Sequence, residues 1–170
     1  MDDFHQLRRT PHDGAFSRDL GPSEVSARRA LARCRITMSA STTASVAANA
    51  TNKGDVLATA RVAGIQAAKN AASLLPMSHL VLVGNVYVNF AIADTHIDVE
   101  ASVDTVDRTG VEMEALTAVT VAALTIYDMC KSIDRTMTIG EVALWEKSGG
   151  RSGTWRREEA IGDAHEKNGQ

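Results

Sequence analysis

Thr95–Thr105 reads THIDVEASVDT, and its alternation decides the fold. Thr95, Ile97, Val99, Ala101, Val103 and Thr105 fall on one mostly apolar face, and His96, Asp98, Glu100 and Asp104 on the other. Successive strand residues point to opposite sides of a sheet, so this is a strand with one dry face and one wet face. Just upstream, Leu80–Ala91 alternates as well, with Leu80, Leu82, Gly84, Val86, Val88 and Phe90 on its even face. The short gap at Ala93-Asp94 makes the two a hairpin. Further back, Ala30–Met38 sets Ala30, Ala32, Cys34, Ile36 and Met38 against Leu31, Arg33, Arg35 and Thr37, and a last strand is expected at Ile139–Lys147.

Two helices separate these strands. Asp55–Leu75 is rich in alanine and has no proline before Pro76, so a single helix is expected, with Val56, Ala60, Ala63, Ala67 and Ala71 as a small face that lets another backbone approach. Val111–Ile133 is apolar almost all round, which predicts a helix buried in the core and in part by another subunit. Residues 39–52 read as a short helix within a loop. The order β-α-β-β-α-β is that of an α+β, ferredoxin-like fold, an antiparallel sheet with its helices on one face. Residues 1–24 are unpatterned and read as an N-terminal arm, 25–157 as the folded domain, and 158–170 as a flexible C-terminal tail.

The chain has 170 residues, the size of one domain. Its net charge of −3 and 4% aromatic content argue against a nucleic-acid binder, which would need a basic patch or stacking platforms. No run reaches the ~18 apolar residues of a membrane span. Cys34 and Cys130 fit no CxxC pattern, and no histidines share metal-ligand spacing, so no metal and no cofactor is expected and the thiols suit the cytoplasm.

Chemistry can sit at a few places. Asp128 and Lys131 stand three apart on an apolar helix, where they are either a buried working pair or a surface ion pair. Glu112 and Glu114 open the same helix, where carboxylates are favourable in any case. Glu114 and Asp128 lie ~21 Å apart along a straight helix, so if both ends work, two subunits build each site. Lys53 precedes a helix start, and Lys147-Ser148-Gly149-Gly150-Arg151-Ser152-Gly153 combines cations, hydroxyls and glycines in a way that suits phosphate. His79 sits at a helix-to-strand junction. Together these favour a phosphorylated ligand and acid–base chemistry, and leave the substrate open.

Three stretches carry a resemblance: KGDVLATARVAGIQAAK (Lys53 to Lys69), GVEMEALTAVTVAALTIYDMCK (Gly110 to Lys131) and EKSGGRSG (Glu146 to Gly153). The chain resembles the cyclic pyranopterin monophosphate synthases, the molybdenum cofactor biosynthesis protein C family, over roughly 17–157. The resemblance implies a ferredoxin-like catalytic domain and a homohexamer built as a trimer of dimers, with active sites at the dimer interface. It also implies a lyase reaction on a GTP-derived small molecule, in which 3′,8-cyclo-7,8-dihydroguanosine 5′-triphosphate becomes cyclic pyranopterin monophosphate with release of pyrophosphate. By resemblance, Asp128, Lys131 and Lys53 are catalytic. Met77, Ser78, His79, Glu112, Met113, Glu114, Arg28 and Lys147 bind substrate. Where the family usually reads leucine-cysteine-histidine-proline, this chain has Met77-Ser78-His79-Leu80, which opens a second reading, a weakly active or non-catalytic paralogue that binds a nucleotide in the same oligomer. A ligand-sensing module on the same fold is a third.

Overall fold

The structure, a computed structural model, describes residues 23–158. The arm and tail expected at 1–24 and 158–170 lie almost wholly outside the described residues. The elements run β1 (Ser26–Thr37), α1 (Ala40–Ala47), α2 (Val56–Lys69), α3 (Ala71–Leu74), β2 (Val86–Ile92), β3 (His96–Asp107), α4 (Glu112–Cys130), β4 (Thr138–Ser148) and β5 (Trp155–Arg156). They form one sheet in the order β2-β3-β1-β4-β5 with every pairing antiparallel. β3 therefore lies between β1 and β2, and β1 between β3 and β4, the split arrangement expected, with β5 added at one edge.

The dry faces meet the helices. Ile97, Val99, Ala101 and Val103 of β3 and Ala30, Ala32, Cys34 and Ile36 of β1 are buried beneath α4. Full burial of a side chain such as Ile36 or Ile126 contributes about 1.5–3 kcal/mol. α2 lies beside α4, and a Cβ at Gly64 would come within 3.0 Å of the Ala118 carbonyl. The small face of α2 is thus the point of close approach, with Gly64 rather than Ala63 at its centre. The opposite sheet face carries cross-strand ion pairs, Arg33–Glu100 at 2.8 Å and Arg35–Asp98 at 2.7 Å. The Arg35 hydrogen bond holds the Asp98 carboxyl below its usual range.

Several expectations need correction. The single helix over Asp55–Leu75 is two, because Asn70 leaves helical geometry and its amide donates back to the Gln66 carbonyl. The strand over Leu80–Ala91 begins at Val86. Gly84 N–H donates to the Asp104 carbonyl and Asp104 N–H to the Asn85 carbonyl, so two residues face one. One extra residue reverses the alternation. Val81 and Val83 pack on the core, while Leu80 and Leu82 are 89% and 84% exposed. α4 is long and apolar enough to cross a membrane by length and composition, but half of it is buried against the sheet and α2, as in a core helix.

Asp134 fixes how α4 ends. Its buried carboxylate accepts from Ser39 N–H (2.8 Å), Thr42 Oγ1 (3.2 Å), Thr136 N–H (2.9 Å) and Thr136 Oγ1 (2.7 Å). This ties the start of α1 to the turn after α4. The Ser39 N–H first, then Thr136, hold the carboxyl far below the usual range. An acid with a depressed folded pKa adds stability that is complete above its unfolded value, near 3.9, and is lost as pH falls below it. Asp134→Asn should therefore cost about 2 kcal/mol at neutral pH, roughly 4–8 °C in melting temperature. Melts across pH should show the gap to the parent narrowing in acid; an equal gap at pH 3 and pH 7 would rule out the carboxylate charge as its source.

Candidate active site

α4 carries candidate residues at both ends. At its C-terminal end, Lys131 Nζ donates to the Asp128 carboxylate at 2.6 Å. Lys53 Nζ, from the loop between α1 and α2, donates to the Asp128 backbone carbonyl at 2.9 Å and lies 3.6 Å from its carboxylate. Asp55 caps α2 through Ala58 N–H, and Gly54 at φ +87° turns the chain, which fixes where Lys53 emerges. The fold thus brings together residues 75 and more positions apart in sequence. Burial does not: the side chains of Lys53, Asp128 and Lys131 are 43%, 59% and 53% exposed. Of the two readings open for Asp128 and Lys131, the folded chain shows the surface ion pair, because both lie on the side of α4 away from the sheet. The Lys131 hydrogen bond, and then the charges of Lys131 and Lys53, hold the Asp128 carboxyl below its usual range.

At the other end, Met77, Ser78, His79, Glu112, Met113, Glu114 and Lys147 line one cavity of about 560 Å³. Glu114 is buried, which raises its carboxyl pKa, and the nearby Glu112 charge raises it further. Lys147 lies 3.7 Å from Glu112 and donates to Ser152 Oγ at 2.8 Å. It faces the helices because β4 carries an extra residue. Leu31 pairs with Glu146 but Ala32 pairs with Leu144, which leaves Trp145 over. Trp145 turns to the open sheet face beneath the Arg33 guanidinium, 4.5 Å from its ring centroid, and Lys147 turns to α4.

An adjoining cavity of about 610 Å³ shares His79, Glu112 and Lys147 with the first and adds Arg28, Arg29, Arg108 and the glycine-rich turn. Arg28 also serves the fold: Nε donates to Asp107 O, and Nη2 to Glu24 O and Arg108 O. Its Nη1 edge lies under Gly150, where a Cβ would collide with it. A further cleft of about 910 Å³ opens on the far face of the sheet and contains none of the candidate residues. Residues 18–150 match the MoaC family.

The chain belongs to that family. It is 51% identical over 144 residues to a protein of Chloroflexus aggregans, covering 84% of this chain and 87% of that one. Identity is 52% over 143 residues with a Thermomicrobium roseum protein (83% and 86% covered) and 54% over 137 residues with one from Roseiflexus sp. (79% and 87% covered). Each of these relatives is named cyclic pyranopterin monophosphate synthase.

In this MoaC-family chain the candidate residues form two clusters at opposite ends of α4, ~21 Å apart on the helical rise from Glu114 to Asp128. Asp134, Arg108, Thr109 and Trp155 were missed in the sequence. Asp134 had a readable signal, since Asp-x-Thr just after a helix is a turn that its carboxylate closes. Arg108 had none, because it reaches the cavity only through the pairing of β1 with β3.

The glycine-rich turn is sterically set. Gly149 has φ +93° and its Cβ would strike the Ala27 carbonyl, whereas Gly54 has φ +87° and open space around it. Gly149→Ala should cost about 1–3 kcal/mol in urea unfolding, against about 1 kcal/mol for Gly54→Ala. Equal losses would show that backbone angle alone, not the Ala27 contact, makes glycine necessary.

Proposed function

We propose that this chain is a cyclic pyranopterin monophosphate synthase of molybdenum cofactor biosynthesis. It converts 3′,8-cyclo-7,8-dihydroguanosine 5′-triphosphate to cyclic pyranopterin monophosphate and releases pyrophosphate. The observation that carries the reading is the pairing of two joined cavities with a separate Lys53–Asp128–Lys131 cluster. The cavity with Glu112 and Glu114 suits the N–H donors of a guanine-derived heterocycle. The cavity with Arg28, Lys147 and the glycine-rich turn suits a triphosphate.

In this mechanism Lys53 and Lys131 act as general acid and base, one as ammonium and the other as free amine, while the imidazole ring opens and the pterin forms, and Asp128 orients both side-chain nitrogens. A ribose hydroxyl then attacks the α-phosphorus, the bond to the β-phosphate oxygen breaks, and pyrophosphate leaves. The cations around the glycine-rich turn stabilise the charge that develops on the phosphate oxygens. One ligand cannot span both ends of α4 within one subunit, so the Lys53–Asp128–Lys131 cluster of one copy meets the cavities of another, in a hexamer assembled as a trimer of dimers. The enzyme works in the cytoplasm, where its buried free thiols Cys34 and Cys130 stay reduced. Burial pushes the Cys34 thiol up to about 12.

The purified protein should release pyrophosphate from the cyclised nucleotide, and Lys131→Ala should not. A parent that binds the nucleotide without releasing pyrophosphate would favour the non-catalytic paralogue. Lys131→Ala and Glu114→Gln proteins, each inactive alone, should regain about a quarter of parental activity when mixed and reassembled, because some mixed dimers hold one intact site. Light scattering should give a mass above that of a dimer. A monomer, or no recovery on mixing, would remove the shared site.

A further inference from the structure

The chain beyond the glycine-rich turn is fastened back with more contacts than a two-residue edge strand needs. Trp155 pairs with Lys147 and Arg156 with Glu146 across the β4–β5 ladder. Gly153 N–H donates to Gly150 O at 3.2 Å, and Arg157 N–H to Trp145 O at 2.8 Å. Arg157 Nε donates to Leu144 O at 2.9 Å, and Arg156 lies 3.0 Å from the Glu146 carboxylate. Together these contacts close the turn into a hairpin and hold one indole in place. The Arg157 guanidinium sits 5.9 Å from the Trp155 ring centroid.

Cross-strand pairing puts Trp155 on the same side of the sheet as Lys147, facing the N-terminal end of α4. It lines the cavity that holds Met77, His79, Met113 and Glu114, where it is the only fused aromatic ring, and it remains 41% exposed. A large apolar ring left partly open to solvent in a cavity with two carboxylates is a surface for a flat, hydrogen-bonding partner. We propose that Trp155 is a substrate-contacting residue whose indole stacks on the fused heterocycle, while Lys147, its ladder partner, faces the phosphates. This rests on the function proposed above and adds the residue that selects a planar base.

Two measurements test it. Trp155→Ala should raise KM for the cyclised nucleotide roughly tenfold or more with kcat within about threefold of the parent, since stacking is lost equally from bound substrate and transition state. Trp155→Phe should keep most of the affinity, and inhibition by pyrophosphate should be unchanged in both. Trp145 lies on the far face of the sheet, so Trp145→Phe leaves Trp155 as the sole indole. GTP should then quench its emission, and pyrophosphate should not; this measurement stands even where Trp155→Ala fails to fold.

A parental KM in Trp155→Ala, or unchanged emission while calorimetry shows GTP bound, would overturn the stacking role. GTP quenching in a protein that never releases pyrophosphate would overturn the synthase reading and keep the stacking role. A parent that binds neither GTP nor the cyclised nucleotide would remove both.

Discussion

The structure depends on α4 being covered from two sides. The sheet lies beneath it and α2 beside it, so Ala115, Ala118, Val119, Ala122, Ala123 and Ile126 are all fully buried. Small side chains there let two backbones come close. A Cβ at Gly64 would lie 3.0 Å from the Ala118 carbonyl, so a larger residue there would force the two helices apart by a few tenths of an ångström. Close packing on two sides opposes rotation or sliding of the helix. Its two ends are therefore fixed points, and each carries charge: Glu112 and Glu114 at one, Asp128 and Lys131 at the other.

What is attached to α4 is aimed by small departures from regular structure. The extra residue at Trp145 turns Lys147 towards Glu112, and the Gly84-Asn85 insertion turns Val81 and Val83 onto the core. Asp134 joins the end of α4 to the start of α1, and α1 leads to Lys53 six residues beyond its end. The distance between Lys53 and Asp128 thus depends on a buried carboxylate with four hydrogen bonds, none of them made by a reacting group. Breaking such a cluster leaves several donors unsatisfied at once.

These departures mark the limit of what could be read in the sequence. β3, β1 and α4 were legible because burial imposes a strict period of two on one face and near-continuous apolarity on a covered helix. The order of elements implied an antiparallel sheet with helices, but not β5 at its edge. The break at Asn70 and the reversed face at Leu80 and Leu82 were not legible, because one residue of insertion or one amide back-bond leaves composition and periodicity unchanged. The site divided in the same way. Lys53, Asp128, Lys131 and the glycine-rich turn lie in stretches that carry a family resemblance. Trp155 lies just after one, and its place beside Lys147 comes only from a strand too short to show a period.

The exposure of the Lys53–Asp128–Lys131 cluster bears on the chemistry. In water, ion pairs between exposed side chains are screened and are worth at most about 1 kcal/mol. Proton transfer to a substrate is favoured by taking these groups out of water, and among the described residues of one chain they stay about half exposed. Burial at the other end of α4 is already complete for Glu114, and the folded chain supplies it alone. The two clusters therefore differ in what they still require. One is finished by folding, and the other by whatever surface closes over it. On the proposed assembly that surface is the cavity mouth of a second copy, so subunit contact removes water at the same moment that it brings the substrate to the lysines.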